Sequence, residues 1–332
     1  MELAISVVIP TLNSKRTLFA CLDSLKAQNY PKELLELLIV DGGSSDSTLE
    51  IAGQFGAKLI SEPRLKNNPE ARKAIGLASA KNELVLYIDS DNILPHKDWL
   101  VNMVKPLVED EEVVAVWTLR YHYDKRASLL NRYFALFGVN DPIAYYFNKR
   151  DRLSWAENKW NLLGRAIEKK DYYVVSFANN KIPTLGANGY LIRRSVLNRA
   201  KVEQKYFFHI DVNADLVLLG FNKFACIKDT IMHLSADNLI SFLRKRLNFM
   251  RVYHQEEYGL RRWRLFEKED LFKLLVFVFY GLTLFKPLYD GFRGYLKIRD
   301  KAWFLHAVVC FAIIFVYGWG LISRSLKLKT NE

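Results

Sequence analysis

Short apolar runs alternate with helix-like segments over the first 92 residues, and this alternation constrains the fold most. Strand–helix repeats of this kind predict an α/β fold with a doubly wound, mostly parallel sheet. No G-x-G-x-x-G follows the first strand, so a Rossmann dinucleotide site is not expected. The predicted strands are residues 4–9 (stopped by Pro10), 35–40, 58–60 and 84–88, and the predicted helices are residues 14–28, 47–55 and 70–80.

Two aspartates follow the fourth of these strands, in the segment ELVLYIDSDN. Asp89 and Asp91 stand at the carboxyl end of the strand, the edge at which open α/β sheets bind ligands. Carboxylates on a tight turn suit a hard cation such as Mg²⁺ or Mn²⁺ that also holds phosphate oxygens. Alone, the same residues also fit a solvated turn, because Asp, Ser and Asn are turn formers.

Polar residues also follow the first two strands. The first ends in Pro10-Thr11-Leu12-Asn13, and the second ends in Asp41-Gly42-Gly43-Ser44. An aspartate here can accept hydrogen bonds from a base or a ribose. The glycines permit close backbone approach, and the next helix N-terminus attracts phosphate. The alternative is a polar turn with capping residues.

Taken in order, VVIPTLN, IVDGGSSDST and YIDSDN resemble the family 2 glycosyltransferases of the GT-A fold, which are inverting enzymes that use nucleotide-sugar donors. The resemblance covers roughly residues 4–235. It implies a divalent cation, Mn²⁺ or Mg²⁺, bound by Asp91, and a donor whose ribose and diphosphate face Asp89. It further implies that the nucleotide pocket is lined by Pro10, Thr11 and Asn13, with Asp41 on the base or ribose. Arg72 is placed near the nucleotide, with an exposed helical charge as the alternative.

The second half carries the resemblance further. Gly186, Ala187 and Asn188, followed by Arg193 and Arg194, are similar to a family segment near the donor sugar and acceptor; structural glycine turns are the alternative. His233 resembles a histidine that completes the metal site. A neutral imidazole beside aspartates suits Mn²⁺, although a histidine at a strand end is often structural.

Inversion by direct displacement needs a carboxylate to take the proton of an acceptor hydroxyl. The family's usual Glu-Asp pair is missing, so Asp211 is the predicted base and Asp215 the reserve. An ionised phosphate acceptor would need a base less. Residues 245–249 and 259–263 do not supply the Q-x-x-R-W segment of processive synthases, which favours transfer of a single sugar.

The net charge of +12 favours an anionic partner, and many basic residues fall within 238–264, predicted as an amphipathic helix. Apolar stretches follow at 271–285 and 302–322. Basic residues beside a membrane gain about 1 kcal/mol each from anionic lipids, and a span needs roughly 20 apolar residues. We therefore expect the first stretch at the interface and the second spanning the membrane or lying shallowly in it. No nucleic-acid module appears, so nucleic acid is not an expected partner.

Three separated cysteines and no opening secretory signal indicate a cytoplasmic catalytic part. The predicted domains are a catalytic domain 1–235, a basic amphipathic helical linker 236–270 and membrane-associated apolar helices 271–332. The predicted function is metal-dependent hexosyl transfer from a UDP- or GDP-linked sugar to a lipid-linked saccharide or polyprenyl phosphate, in cell-envelope or glycan biosynthesis.

Two alternatives stay open. One is a sugar nucleotidyltransferase, against which the absent glycine-rich loop argues. The other is a non-catalytic membrane-bound binder of nucleotide sugars or lipids, which the missing Glu-Asp pair favours.

Overall fold

The computed structural model describes residues 3–178, 181–236, 238–252 and 258–329. The chain forms two compact units. The first comprises Met1–His122 and Leu163–Leu234, and the second comprises Tyr123–Leu162 and Ser235–Glu332. Residues 123–162, which the sequence placed in the catalytic region, therefore group with the C-terminal helices.

The first unit is built on a mixed β-sheet with helices. Within the described residues, the sheet has ten strands in the order β3-β2-β1-β4-β9-β6-β10-β8-β7, with β5 paired to β10. The strands are β1 Ile5–Thr11, β2 Leu35–Asp41, β3 Lys58–Ser61, β4 Leu84–Tyr87, β5 Asn92–Ile93, β6 Ala115–Tyr121, β7 Arg165–Glu168, β8 Tyr172–Ser176, β9 Tyr190–Arg193 and β10 Lys223–His233. The helices of this unit are α1 Leu18–Lys26, α2 Thr48–Gln54, α3 Pro69–Ser79, α4 Trp99–Glu109, α7 Arg194–Leu197 and α8 His209–Leu218.

The N-terminal strands pair as the sequence predicts. β1 lies between β2 and β4 and is parallel to both, and all seven of its residues are buried. An apolar run buried on both faces is typical of an inner parallel strand. The carboxyl ends of β1, β2 and β4 consequently meet at one edge, where their polar residues collect.

The predicted stop of the first strand at Pro10 is wrong, because β1 continues to Thr11 with Pro10 opposite Val40. The Val8 carbonyl accepts a hydrogen bond from the Ile88 N–H on the β4 side. Alternate residues of a strand face the same neighbour, so Pro10 also faces β4, which has ended at Tyr87. The missing N–H of proline therefore costs no ladder hydrogen bond.

Beyond β4 the sheet becomes mixed. β9 lies antiparallel between β4 and β6, and β10 is parallel to β6 but antiparallel to β8 and β5. Arg193 and Arg194, at the end of β9, donate hydrogen bonds to the carbonyls of Leu107 and Ala80, at the ends of α4 and α3. These arginines thus cap helix C-termini.

The second unit is helical in its described part. Its helices are α5 Leu129–Phe137, α6 Pro142–Tyr146, α9 Leu239–Phe249, α10 Leu271–Thr283, α11 Phe285–Lys297 and α12 Leu305–Lys329. Aromatic and aliphatic side chains form its core, and Phe137, Phe277 and Trp303 are buried there. The predicted helix over 238–264 is wrong in extent, since α9 ends at Phe249 and residues 261–267 are not helical; residues 253–257 lie outside the described part. Arg246 on α9 is paired with Asp141, so this basic residue is structural.

One helix among the described residues, Lys301–Ser323, is long and apolar enough to cross a membrane, with a mean hydropathy of 2.2. A second candidate is a bent pair. Helices Lys268–Thr283 and Phe285–Lys297 meet at 77°, and Leu284 between them has a left-handed φ of 62°.

Candidate active site

The Asp89–Asn92 turn is held by its own side chains. Asn92 is buried; its Oδ1 accepts a hydrogen bond from the Asp89 N–H at 2.9 Å, and its amide donates to Asn188 Oδ1 at 3.0 Å. These bonds fix the turn after β4 and tie it to the loop before β9. Asn92, which sequence reasoning did not single out, therefore connects two of the predicted site segments.

Asp91 and His233 lie together, as the resemblance implied for the metal site. β5 pairs with β10 so that Asn92 is opposite His233, and the Leu234 N–H donates to the Asp91 carbonyl at 2.9 Å. This pairing places His233 Nε2 3.5 Å from Asp91 Oδ1. Both side chains are partly exposed, and the ring of Tyr121 lies beside the imidazole.

The loop 186–189 links this turn to helix α8. Asn188 has a positive φ of 57°, and its amide donates to the Tyr121 hydroxyl at 3.3 Å. Gly186 has a φ of 120°, and a Cβ there would lie 2.7 Å from Asn213 Nδ2. Only glycine combines this conformation with so close an approach. Ala187 lies between these two positions, so the three predicted donor-sugar residues bridge the Asp89–Asn92 turn and α8.

Asp211 is in the first turn of α8 and is only 1% exposed. Asp215, one helical turn further on, is half-buried and accepts a hydrogen bond from the Lys201 N–H at 3.4 Å. The 186–189 loop contacts α8 at His209, whose carbonyl approaches Gly186. Asp211 is two residues from His209 in the same helical turn, whereas Asp215 is one turn further away.

The ends of β1 and β2 form one polar cradle. Thr11 Oγ1 donates to Asp41 at 2.9 Å, and the N–H groups of Gly43 and Ser44 donate to the other Asp41 oxygen at 2.8 and 2.7 Å. Asn13, with a φ of 49°, accepts a hydrogen bond from the Ser45 N–H at 2.9 Å. Burial acts to raise the pKa of Asp41, but the hydrogen bonds from Ser44, Thr11 and Gly43 outweigh it and hold the pKa below its ordinary value.

Arg72 is buried, not an exposed helical charge. Its Nη1 donates to the carbonyls of Leu65 and Lys66 at 2.9 and 3.0 Å. A Cβ on Gly42 would lie 2.0 Å from this same nitrogen, so the guanidinium packs directly against the backbone of the loop after β2. Arg72 therefore shapes the floor of the Asp41 cradle.

Three residues that the sequence analysis did not assign, Lys73, Glu70 and His209, join the predicted Asp89 in an ion chain, Asp89–Lys73–Glu70–His209. Lys73 Nζ lies 3.3 Å from Asp89 and 3.2 Å from Glu70, and Glu70 accepts hydrogen bonds from the His209 ring at 2.8 Å and its N–H at 3.0 Å. Lys73 and Glu70 are 2% and 5% exposed. The chain connects the Asp89 turn to the first turn of α8.

The charges in this chain stabilise one another. Burial acts to raise the pKa of Glu70, but the charges of His209 and Lys73 and the His209 hydrogen bonds lower it well below its usual range. Burial acts to lower the pKa of Lys73, whereas Asp89 and Glu70 raise it, with a net upward direction. The one signal in the sequence was a Glu and a Lys three residues apart on a helix that is otherwise largely apolar.

The site suits a cation that binds with substrate oxygens. No group of three or more His, Cys, Asp or Glu side chains is placed to hold a metal ion in the described residues. Asp91 and His233 offer two donors 3.5 Å apart, and two ligands on one divalent cation at about 2.0–2.2 Å are separated by about 3–3.6 Å. A hard cation such as Mg²⁺ or Mn²⁺ is commonly bound through one or two carboxylates together with substrate phosphates, so Asp91 fits such an ion, and His233 would add a nitrogen ligand.

Comparison with known proteins identifies the family. A model of "Glycosyl transferase family 2" matches residues 6–178, just over half of the chain, and the match contains Pro10, Asp41, Asp89 and Asp91. The chain belongs to this family. The glycosyltransferase assignment made from the three motifs is thereby confirmed.

Curated relatives match over shorter stretches. Glycosyltransferase AglE of Haloferax volcanii is 34% identical over 101 residues, covering 29% of this chain and 33% of the relative. A dolichyl N-acetyl-alpha-D-glucosaminyl phosphate 3-beta-D-2,3-diacetamido-2,3-dideoxy-beta-D-glucuronosyltransferase of Methanococcus voltae is 31% identical over 106 residues, covering 30% and 36%. The matches thus span about a third of these relatives' own length.

Solved structures share the fold over nearly the whole chain. Staphylococcus aureus TarS 1–349, in complex with UDP-GlcNAc, has a TM-score of 0.51 at 14% identity, covering 98% of this chain and 92% of that one. Mannosyltransferase PcManGT from Pyrobaculum calidifontis, in complex with GDP-Man and Mn²⁺, has a TM-score of 0.50 at 16% identity, covering 97% and 88%. The predicted GT-A fold is confirmed.

Proposed function

We propose that this family 2 glycosyltransferase moves one sugar from a UDP- or GDP-linked donor to a lipid-linked saccharide or polyprenyl phosphate at the cytoplasmic face of a membrane. The observation that carries the proposal is the Asp91–His233 pair beside Asp89, at the edge where the strands of the sheet end. The Methanococcus voltae relative is named for a dolichyl N-acetyl-alpha-D-glucosaminyl phosphate, which is a lipid-linked saccharide, and PcManGT is in complex with GDP-Man and Mn²⁺. The apolar helix Lys301–Ser323 supports the membrane location.

The nucleotide would bind over the cradle at the ends of β1 and β2, against Pro10, Thr11 and Asn13. Asp41 already accepts hydrogen bonds from Thr11, Gly43 and Ser44, so its part is to set the shape of the loop. Arg72 supports that loop through its contact with Gly42. Asp41 and Arg72 would therefore affect nucleotide binding indirectly, by holding the shape of the cradle.

Asp91 and His233 would hold the divalent cation, Mn²⁺ or Mg²⁺. When bound, such an ion neutralises the charge that develops on a leaving diphosphate. Asp89 lies on the same turn and is paired with Lys73, which fixes its position toward the ribose and diphosphate. The donor is thus oriented by groups on three neighbouring strand ends.

The acceptor would enter beside the 186–189 loop, opposite the diphosphate. Gly186, Ala187 and Asn188 would line the path of the donor sugar and the acceptor. Asp211 would take the proton from an acceptor hydroxyl. A phosphate acceptor is largely ionised at neutral pH, so its oxygen could attack without that step.

The deciding experiment measures products and metal binding together. Wild-type protein should release a nucleoside diphosphate, not pyrophosphate, in the presence of Mn²⁺; pyrophosphate would indicate a nucleotidyltransferase instead. Asp91→Asn and His233→Gln should each lower activity and raise the Mn²⁺ concentration for half-maximal activity at least tenfold. The same variants should weaken Mn²⁺ binding measured by electron paramagnetic resonance with UDP or GDP present.

A matched control is the second His–Asp pair of this unit, His96 and Asp229, which lies 2.8 Å apart. His96→Gln should leave Mn²⁺ binding and activity unchanged. Undiminished Mn²⁺ binding in His233→Gln, or full activity of Asp91→Asn in EDTA, would contradict the proposed metal site.

A further inference from the structure

An apolar cavity of about 720 Å³ lies within the second unit. Its walls come from α6 and the residue after it, Met250 just beyond α9, the segment 261–266, α10 and α12. Pockets that bind small molecules in proteins usually measure about 300–1,000 Å³ and are mostly apolar. The cavity therefore has the size and the character of a ligand site.

The charges on its walls have one sign. Most lining residues are apolar, among them Trp263, Phe277 and Ile313, and the charged residues that line it are Arg261 and Arg264, with no carboxylate. Tyr317 also lines the cavity, and its hydroxyl is already bonded to Arg246 and Asp141. A volume lined by apolar residues and two arginines complements a hydrocarbon chain that ends in an anion, since the guanidinium group of arginine binds phosphate well.

The volume of the cavity limits the length of a lipid chain that it can hold. If a methylene takes roughly the space of a water molecule, about 30 Å³, the cavity holds on the order of 24 non-hydrogen atoms. That number suits one isoprenoid or acyl segment with a phosphate. The two chains of a diacyl phospholipid would exceed it.

We propose that this cavity binds the terminal segment of a single-chain lipid phosphate, with the phosphate at Arg261 and Arg264. The inference rests on the proposed function in that such a lipid is a candidate acceptor. It makes a separate claim, however, because binding here needs no nucleotide sugar and no divalent cation.

Gly318 provides a sharp test, because it lines the cavity on α12 and a Cβ at this position would meet open space. Gly318→Leu should fill the cavity without clash, and its melting temperature should not fall, because leucine favours the helix over glycine. Gly53 on α2 also has open space at its Cβ and lies in the first unit, so Gly53→Leu is the matched control.

The experiment is calorimetric titration of the full chain in detergent with farnesyl phosphate, in the absence of donor. We expect binding that Gly318→Leu weakens at least tenfold and Gly53→Leu leaves unchanged. Arg264→Gln should weaken binding several-fold, whereas Arg262→Gln, next to the cavity in sequence but outside its lining, should not. Farnesol, inorganic phosphate and phosphatidylglycerol should each bind at least tenfold more weakly than farnesyl phosphate.

Wild-type affinity in Gly318→Leu would overturn the inference, as would equal binding of farnesol or phosphatidylglycerol. Failure of the proposed function gives a different pattern. In that case farnesyl phosphate binds and Gly318→Leu abolishes the binding, but no sugar is transferred to it or to a longer lipid phosphate.

Discussion

Replacing Glu70 by glutamine tests whether the ion chain holds the site together. Glu70 pairs with Lys73 at 3.2 Å and accepts two hydrogen bonds from His209. Glutamine keeps the shape but removes the charge. Among the described residues, Lys73, which is 2% exposed, then keeps only Asp89 as its counterion.

The magnitude follows from this geometry. Removing one partner of a buried ion pair costs about 3–5 kcal/mol, and the remaining Asp89 favours the lower end, about 3 kcal/mol. For a folding unit of this size, that loss lowers Tm by roughly 6–12 °C. Thermal unfolding followed by circular dichroism measures it, with Glu112→Gln on the exposed Lys223–Glu112 pair as a control that should leave Tm unchanged.

A second substitution tests whether the loss of stability comes from the broken Glu70–Lys73 ion pair or from any change in the buried region. Lys73→Met removes the buried charge that has lost one of its two partners, so the double variant Glu70→Gln/Lys73→Met should be more stable than Glu70→Gln alone. Destabilisations that simply add, or a Tm of Glu70→Gln within 2 °C of wild type, would refute the reasoning.

The pH dependence has a defined sign. The pKa of Glu70 is lowered in the folded protein, so its contribution is present above its unfolded pKa of about 4.3 and is lost as the pH falls further. In thermal unfolding at a series of pH values, the stability difference between wild type and Glu70→Gln should shrink as the pH falls below about 4.

Two further predictions concern the acceptor side and the cradle. Asp211→Asn should lower kcat by about 10²–10⁴-fold with a hydroxyl acceptor and change it little with a phosphate acceptor; equal loss with both would exclude Asp211 as the base. Gly42→Ala should destabilise the protein by about 1–3 kcal/mol in urea unfolding, because its methyl group would lie 2.0 Å from Arg72 Nη1 and must displace the guanidinium. Gly53→Ala should instead stabilise the protein by about 0.5–1 kcal/mol, because the methyl group enters open space on a helix. Opposite shifts are required, and two shifts of the same sign would contradict the packing argument.

Local patterns were enough to predict the first half of the sheet. Apolar runs identify inner strands, and the carboxyl ends of parallel strands must meet, so Asp41, Asp89 and Asp91 could be placed at one edge. The motif resemblance then brought His233 to the same place, which pairing of β5 with β10 achieves.

Other features depend on pairings that no local pattern encodes. Glu70 and His209 are 139 residues apart, so the sequence around Glu70 does not indicate that His209 will pair with it. The amphipathic pattern of 238–264 continues past Phe249, but α9 ends there and passes into a π-helical turn at residues 250–252, residues 261–267 are not helical, and Arg261 is buried. The grouping of residues 123–162 with the C-terminal helices likewise rests on tertiary contacts alone.

The position of β9 has a consequence for how the protein is made. β9 lies between β4 and β6, yet it is translated about a hundred residues after β4 ends, a delay on the order of ten seconds at ordinary synthesis rates. During that interval β4 and β6 each lack a neighbour and expose an unpaired edge, which is a hazard for aggregation. Residues 190–193 therefore join β4 to β6, and β10, translated later still, joins β6 to β8. Nascent chains arrested before residue 190 should need chaperones that completed chains do not.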